Sequence, residues 1–204
     1  MKKILCFGDS NTYGFNPIDG SRYSSDIRWA GILKNNLRGK YKVVEAGSNN
    51  RTCFIDNPDG EEKTGYKALP KYLSDDIDVL IIALGINDIQ KFFNPDLFSV
   101  KKGIINLVEI ARKINPNIKI LLLSPSCLDK CLLDGYFSIQ FDEESIKKSF
   151  KMAEIYNEVA KEFNCDFINL DLYVKVSKID GLHYSPESHR IIAKLLQDYF
   201  LNLT

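Results

Sequence analysis

The sequence predicts an α/β fold: a three-layer α/β/α sandwich around a central five-stranded parallel sheet. Three observations carry that expectation. Short, almost continuously apolar runs recur along the chain, longer stretches with helical periodicity separate them, and Gly, Asn and Ser gather where the runs end. Apolar runs without alternation suit strands buried on both faces, and the helical stretches supply the crossovers that parallel strands require.

Taken in order, the first strand is Lys3–Phe7, which closes on Gly8-Asp9-Ser10. A loop rich in Gly, Pro, Asn and Asp, Phe15–Ser25, leads to a helix from about Asp26 to Leu37. Lys42–Glu45 is the second strand, followed by Gly47-Ser48-Asn49-Asn50 and a second long loop, Thr52–Gly65. The third strand, Val79–Leu84, ends at Gly85-Ile86-Asn87-Asp88. The helix Ser99–Ile114 places Ile104, Leu107, Val108 and Ala111 on one face. Lys119–Leu123 is the fourth strand and leads into Ser124-Pro125. A long helix near Glu143–Phe163 follows Asp142 as N-cap, and Asp166–Leu170 is the fifth strand. The last helix opens on Ser185-Pro186-Glu187, an N-cap Ser with Pro at the first helical position, and runs to about Phe200. No repeat, low-complexity tract or linker interrupts the pattern, so residues 1–204 read as one domain.

Composition narrows the function classes. Lys plus Arg and Asp plus Glu are equal at 27 each, so no basic field attracts nucleic acid or an anionic membrane. Near-neutral charge does little to oppose self-association, which leaves a homo-oligomer allowed. Lys2-Lys3 precedes an apolar run that stops at Gly8-Asp9, short of the 7–15 residues or so of a secretory core. No run approaches the ~20 apolar residues of a membrane span, and the expected location is the cytoplasm. Cys6 and Cys165, in apolar runs, read as buried free thiols. Cys127 and Cys131 form the one close pair, and with only two histidines a four-ligand zinc site is hard to assemble. No G-x-G-x-x-G or G-x-x-x-x-G-K-[ST] occurs. The expectation is no metal and no cofactor.

The predicted topology has a geometric consequence. Ligands of such folds bind beyond the carboxyl ends of the strands. Gly8-Asp9-Ser10, Gly47–Asn50, Gly85–Asp88 and the loop Asp180-Gly181-Leu182-His183 all fall at that rim if the strands are parallel. Ser10 is the candidate nucleophile, on a strand-to-helix turn that exposes a hydroxyl and places amides near a developing oxyanion. His183 is the candidate general base, and Asp180, close along the turn, accepts the Nδ1 proton and fixes the tautomer. Asn87 offers a side-chain amide to an oxyanion or else closes its own turn. Asp88 reads as a brace for the segment that follows it. Gly47–Thr52 offers a backbone amide to the same hole, and Asn there tolerates the left-handed conformation. His189 falls inside the last helix and reads as a surface or half-buried residue. Tyr13, Phe15, Tyr23, Trp29, Phe92 and Phe93 are the aromatics near these segments that either line a pocket or pack in the core.

These segments, in this order, resemble the SGNH hydrolases, the GDSL esterase/lipase superfamily. The blocks are Gly8-Asp9-Ser10, Gly47–Thr52, Gly85-x-Asn87-Asp88 and Asp180-x-x-His183, which together span most of the chain. Ile4–Ser10, Arg28-Trp29, Glu45–Gly47, Arg51-Thr52 before Asp56-Asn57-Pro58, and Ser124-Pro125 are similar to its arylesterase/acyltransferase-like branch. The resemblance implies a flavodoxin-like SGNH hydrolase fold. It implies Ser10 as nucleophile, His183 as base and Asp180 as its partner, with an oxyanion hole from the Ser10 amide, the Asn50 amide and the Asn87 side chain. It implies no metal or organic cofactor, a small-molecule ester as substrate, and oligomers in some members of that branch that also transfer acyl groups. The activity expected is hydrolysis of short-chain acyl or aryl esters through an acyl-enzyme. A carbohydrate O-deacetylase or a lysophospholipase/lipase would use the same residues, and a non-catalytic binding module would use the same rim. One departure stands out. Asn50 occupies a position where the family usually has Gly or another small residue, so its side chain must turn aside if its amide faces the hole.

Overall fold

The structure, a computed structural model, describes residues 1–203. Its centre is a sheet of five strands, β1 (Lys2–Gly8), β2 (Tyr41–Gly47), β3 (Val79–Ala83), β4 (Lys119–Ser124) and β5 (Asp166–Asn169). All neighbours pair in parallel, in the order β2-β1-β3-β4-β5. Each lies within one or two residues of the run that predicted it. The three-layer architecture is as expected.

Among the described residues six α-helices surround the sheet: α1 (Ser10–Tyr13), α2 (Trp29–Asn36), α3 (Gly65–Tyr72), α4 (Leu97–Ile114), α5 (Glu143–Glu162) and α6 (Pro186–Asn202). Strand residues alternate between two apolar clusters. Ile4, Cys6, Val79, Ile81, Leu121 and Leu123 face α2 and α6, where Trp29, Leu33, Ile192 and Leu196 cover them. Leu5, Phe7, Leu80, Ile82 and Leu122 face the other way, onto Leu69, Ile104, Leu107, Met152 and Val159 of α3, α4 and α5. Both faces being covered is why the strands read as unbroken apolar runs.

Caps set the helix ends as the sequence suggested. The Asp142 carboxylate accepts from Ser145 N while Ser145 Oγ accepts from Asp142 N, a reciprocal box that starts α5. Ser185 caps α6 ahead of Pro186. Asp96 caps α4 two residues earlier than the apolar pattern suggested. The helix expected from Asp26 begins at Trp29; Arg28 precedes it with extended backbone, φ −71° and ψ 138°, and pairs with Glu45, Nε–Oε2 2.6 Å. α3 is a helix the sequence reading missed. It begins at Gly65 and contains Pro70, two residues that argue against a helix locally, and it forms because Ala68 and Leu69 are buried in the cluster with α4.

Two features position the rim. The chain leaves β1 toward the α2 side and returns after β2 to the α3 side, so β1 and β3 flank the reversal where a crevice opens at the strand ends. At this point α1 lies directly on the end of β2. A Cβ added to Gly47 would stand 2.2 Å from Tyr13 N and 2.5 Å from Thr12 C. Those are backbone atoms and have no rotamer to escape into. Gly47→Ala is therefore expected to destabilise the fold by more than about 2 kcal/mol, seen as a drop in the denaturation midpoint. A midpoint equal to wild type would show that α1 lifts freely off β2.

Among the described residues no helix is long and apolar enough to cross a membrane. The five cysteines are free; Cys6 is buried as expected and so is Cys53, whereas Cys165, expected to be buried, is half-buried like Cys127 and Cys131.

Candidate active site

Ser10 is the first residue of α1, immediately after β1. The Asp9 carboxylate caps this turn by accepting from Asn11 N at 2.9 Å, and Gly14 ends it in the left-handed region. The turn aims the Ser10 hydroxyl at the loop before α6. There His183 Nε2 lies 2.9 Å from Ser10 Oγ, and His183 Nδ1 lies 2.6 Å from Asp180 Oδ2. The other Asp180 oxygen accepts from the amides of Leu182 and His183, each at 3.0 Å. All three side chains are buried, with Ser10 5%, Asp180 7% and His183 2% exposed, so water competes little for these bonds. Burial alone would raise the Asp180 carboxyl. The bonds from the His183 ring and from the two amides outweigh it and hold the group below the usual carboxylate range.

The next two segments meet the first beside Ser10's strand. Gly85 turns the chain after β3 at φ +101°, with Met152 Cε 2.8 Å from where a Cβ would stand. Asn87 follows, buried, and its Nδ2 donates to Arg51 O at 3.0 Å. Asn50 sits in the left-handed region at φ +61°, the conformation in which a Gly would be unstrained. Its side chain does turn aside: Nδ2 donates to Asp59 Oδ2 at 2.8 Å, and Oδ1 accepts from Gln90 at 2.9 Å. No acceptor among the described residues takes the Asn50 backbone N–H.

Several site residues were not singled out by sequence. Asn11 clamps the histidine loop from both sides, donating to Leu182 O at 3.2 Å and accepting from Tyr184 N at 3.0 Å. The only available signal was its position next to Ser10. Gln90 links Asn50 to Asn87. Phe137, from the stretch between β4 and α5, reaches over the histidine. Its ring centroid lies 5.2 Å from that of His183, and that of Phe15 lies 4.2 Å away. Phe15 is therefore a rim residue as its type allowed, whereas Trp29 and Tyr23 are core.

Two expectations are corrected. His189 is not a surface or half-buried residue. It is fully buried, accepts from Trp29 N at 3.3 Å, and packs edge-on to the Tyr23 and Tyr184 rings. Burial, helped by the nearby His183, pushes its pKa down to about 3, so it is neutral. Asp88 does not brace the segment after it. Its carboxylate reaches back to the Cys53, Phe54 and Ile55 amides at 2.6, 3.0 and 3.2 Å and so ties the loop after β2 to the end of β3. Burial nonetheless pushes this carboxyl up to about 6.

Asp9 carries a measurable electrostatic signature. Burial pushes it up to about 7, against the pull of the Asn11 amide and the Arg51 charge. An unfolded Asp titrates near 3.9, roughly. Between about pH 4 and pH 7 the unfolded chain is thus ionised at Asp9 while the folded chain keeps its proton, so this group's contribution to stability falls as pH rises through that window. Asp9→Asn preserves the cap and removes the titration. The variant should gain on the wild type from about pH 4 to pH 7 and hold a constant gap above that, as read by urea denaturation. A pH-independent gap would mean that Asp9 is ionised in the native protein.

Residues 6–191 match the model of the GDSL-like lipase/acylhydrolase family. Among solved structures, the aryl esterase of M. smegmatis is 28% identical over 100% of both chains, with a TM-score of 0.91. Est24, a carbohydrate acetylesterase from Sinorhizobium meliloti, is 26% identical over 100% of both chains, with a TM-score of 0.88. No curated protein is significantly similar to the chain in sequence.

Proposed function

The chain belongs to the GDSL-like lipase/acylhydrolase family, and we propose that it is a serine esterase that cleaves small carboxylic esters through an acyl-enzyme on Ser10. The observation that carries this reading is the run of short contacts from Ser10 Oγ through the His183 ring to Asp180, at 2.9 and 2.6 Å. With Nδ1–H donating to Asp180, Nε2 presents a lone pair to the Ser10 hydroxyl. As Oγ attacks the ester carbon, its proton passes to Nε2. The carbonyl oxygen takes the charge and is held by the Ser10 and Asn50 backbone N–H groups and the Asn87 side-chain N–H. His183 then gives its proton to the departing alcohol. A water, deprotonated by the same nitrogen, releases the acid and restores Ser10. An alcohol in place of that water would make the step an acyl transfer.

The reading of the substrate class is supported by where the leaving group must lie. Its oxygen has to come within hydrogen-bond reach of His183 Nε2, and Phe15 and Phe137 stand against that ring. The alcohol side of the ester therefore meets aromatic faces, which suit an aryl group or the C–H face of a sugar. This supports aryl esters first, and O-acetylated carbohydrate as a second reading on the same wall. The test is a p-nitrophenyl ester series from acetate to octanoate, run beside acetylated sugars, with intact-mass detection of a fluorophosphonate adduct. Short acyl chains and one adduct at Ser10 are expected. A preference for octanoate would point to a lipase, and a folded protein with neither turnover nor adduct would be a binding module.

Asn87→Ala should lower kcat about 10²–10³-fold with little change in KM, the usual effect of losing one oxyanion donor. An unchanged kcat would remove Asn87 from the hole.

A further inference from the structure

Four polar side chains run in series beside the nucleophile. Asp59 Oδ2 accepts from Asn50 Nδ2 at 2.8 Å; Asn50 Oδ1 accepts from Gln90 Nε2 at 2.9 Å; and the same Gln90 nitrogen donates to Asn87 Oδ1 at 3.3 Å. Asn87 Nδ2 in turn donates to Arg51 O at 3.0 Å. Gln90 is 3% exposed and Asn87 4% exposed, so the bonds these two make are sheltered from water, while the Asn50–Asp59 bond at the outer end is exposed.

We propose that Gln90 is a positioning residue for the oxyanion site, which together with the Asn50 side chain fixes and polarises the Asn87 amide. The argument is one of valence. An amide nitrogen carries two hydrogens. One of those on Asn87 is committed to Arg51 O. With Gln90 pinning Oδ1, the amide has one orientation, and the second hydrogen has one direction in which to point. A flipped amide would set Nδ2 against the Gln90 donor and Oδ1 against the Arg51 carbonyl. Donation into Oδ1 also draws density from the amide and strengthens its remaining N–H as a donor, and a chain of such bonds reinforces itself. The charge on Asp59 stands at the far end and acts through Asn50, whose carbonyl becomes a better acceptor for Gln90. The Asn at position 50 is thus linked into the site as well as accommodated. This inference rests on the esterase reading for its kinetic consequence, though not for its geometry.

The test uses Gln90→Leu and Gln90→Glu, each in wild type and in Asn87→Ala, with p-nitrophenyl acetate as substrate. Gln90→Leu should lower kcat about tenfold, the effect of one hydrogen bond's worth of transition-state stabilisation, with KM within about twofold. Gln90→Glu keeps the shape but loses the donor, and should do at least as much damage. Neither should lower kcat further once Asn87 is Ala. A residue that merely supports the fold would depress both backgrounds alike, and that outcome would overturn the proposal, as would an unchanged kcat in either single variant. The side-chain amide signals of Asn87 give a second readout that needs no turnover. Their hydrogen exchange should be slow in wild type and at least about tenfold faster in Gln90→Leu, as expected when one hydrogen bond of ordinary strength is lost. Equal exchange would also overturn the proposal. If the wild type itself neither turns over nor labels at Ser10, the esterase reading fails, while the exchange experiment still decides the orientation of Asn87.

Discussion

Ser10→Ala should lower kcat at least about 10⁴-fold while the protein stays folded. The turn that carries Ser10 is held without its hydroxyl. The Asp9 side chain caps Asn11 N at 2.9 Å, and the Thr12 and Tyr13 amides return to Asp9 O at 3.1 and 2.9 Å. Removing Oγ costs one bond, that to His183 Nε2, and about 1 kcal/mol of stability. The chemical loss is of another order, because no other hydroxyl is hydrogen-bonded to His183 among the described residues. Kinetics on p-nitrophenyl acetate, with a melting curve on the same sample, separates the two effects. Fluorophosphonate labelling should vanish with the activity. Activity within about tenfold of wild type would mean that the attacking group lies elsewhere; an inactive protein with a collapsed melting curve would show that the hydroxyl also supports the turn.

Much of this site was legible in the sequence because its pieces sit at strand ends. The apolar runs that became β1, β2 and β3 fixed where Ser10, Asn50 and Asn87 had to fall, and parallel pairing brings those ends to one rim. Asp180 and His183 were legible for a simpler reason: three residues on a turn suffice to bring a carboxylate to Nδ1. What escaped was set by contacts between segments distant in sequence. α3 contradicts its own local propensities, and α4 supplies the reason for it to form. His189 carries a polar side chain on an apolar helix face, and only the packing of Tyr23 and Tyr184 around it shows that it is interior. Asp88 reaches back 35 residues to Cys53, a partner that no local reading of a Gly-x-Asn-Asp turn can supply. Asn11 and Gln90 lie beside recognised residues yet act across the site, one on the loop of His183 and the other on Asn50.

Asp180→Asn should lower kcat by about 10³–10⁴-fold, and the reason lies in which way the new amide must face. In the wild type Asp180 accepts everywhere. Oδ1 takes the Leu182 and His183 amides at 3.0 Å each, and Oδ2 takes His183 Nδ1–H at 2.6 Å. An Asn has one acceptor end and one donor end. Turning its donor to the two backbone N–H groups would leave three donors facing one another in a buried site, so the oxygen stays with the backbone and the NH₂ faces Nδ1. Nδ1 must then accept, which moves the imidazole proton to Nε2. That nitrogen faces Ser10 Oγ at 2.9 Å and can no longer take its proton. Shape and packing are kept, so the melting temperature should change little while acylation nearly stops. With only two histidines in the chain, nitrogen NMR can read the tautomer of His183 directly. The proton should sit on Nδ1 in wild type and on Nε2 in Asp180→Asn. A variant that retains activity within about tenfold, or one whose proton stays on Nδ1, would take the carboxylate out of the mechanism.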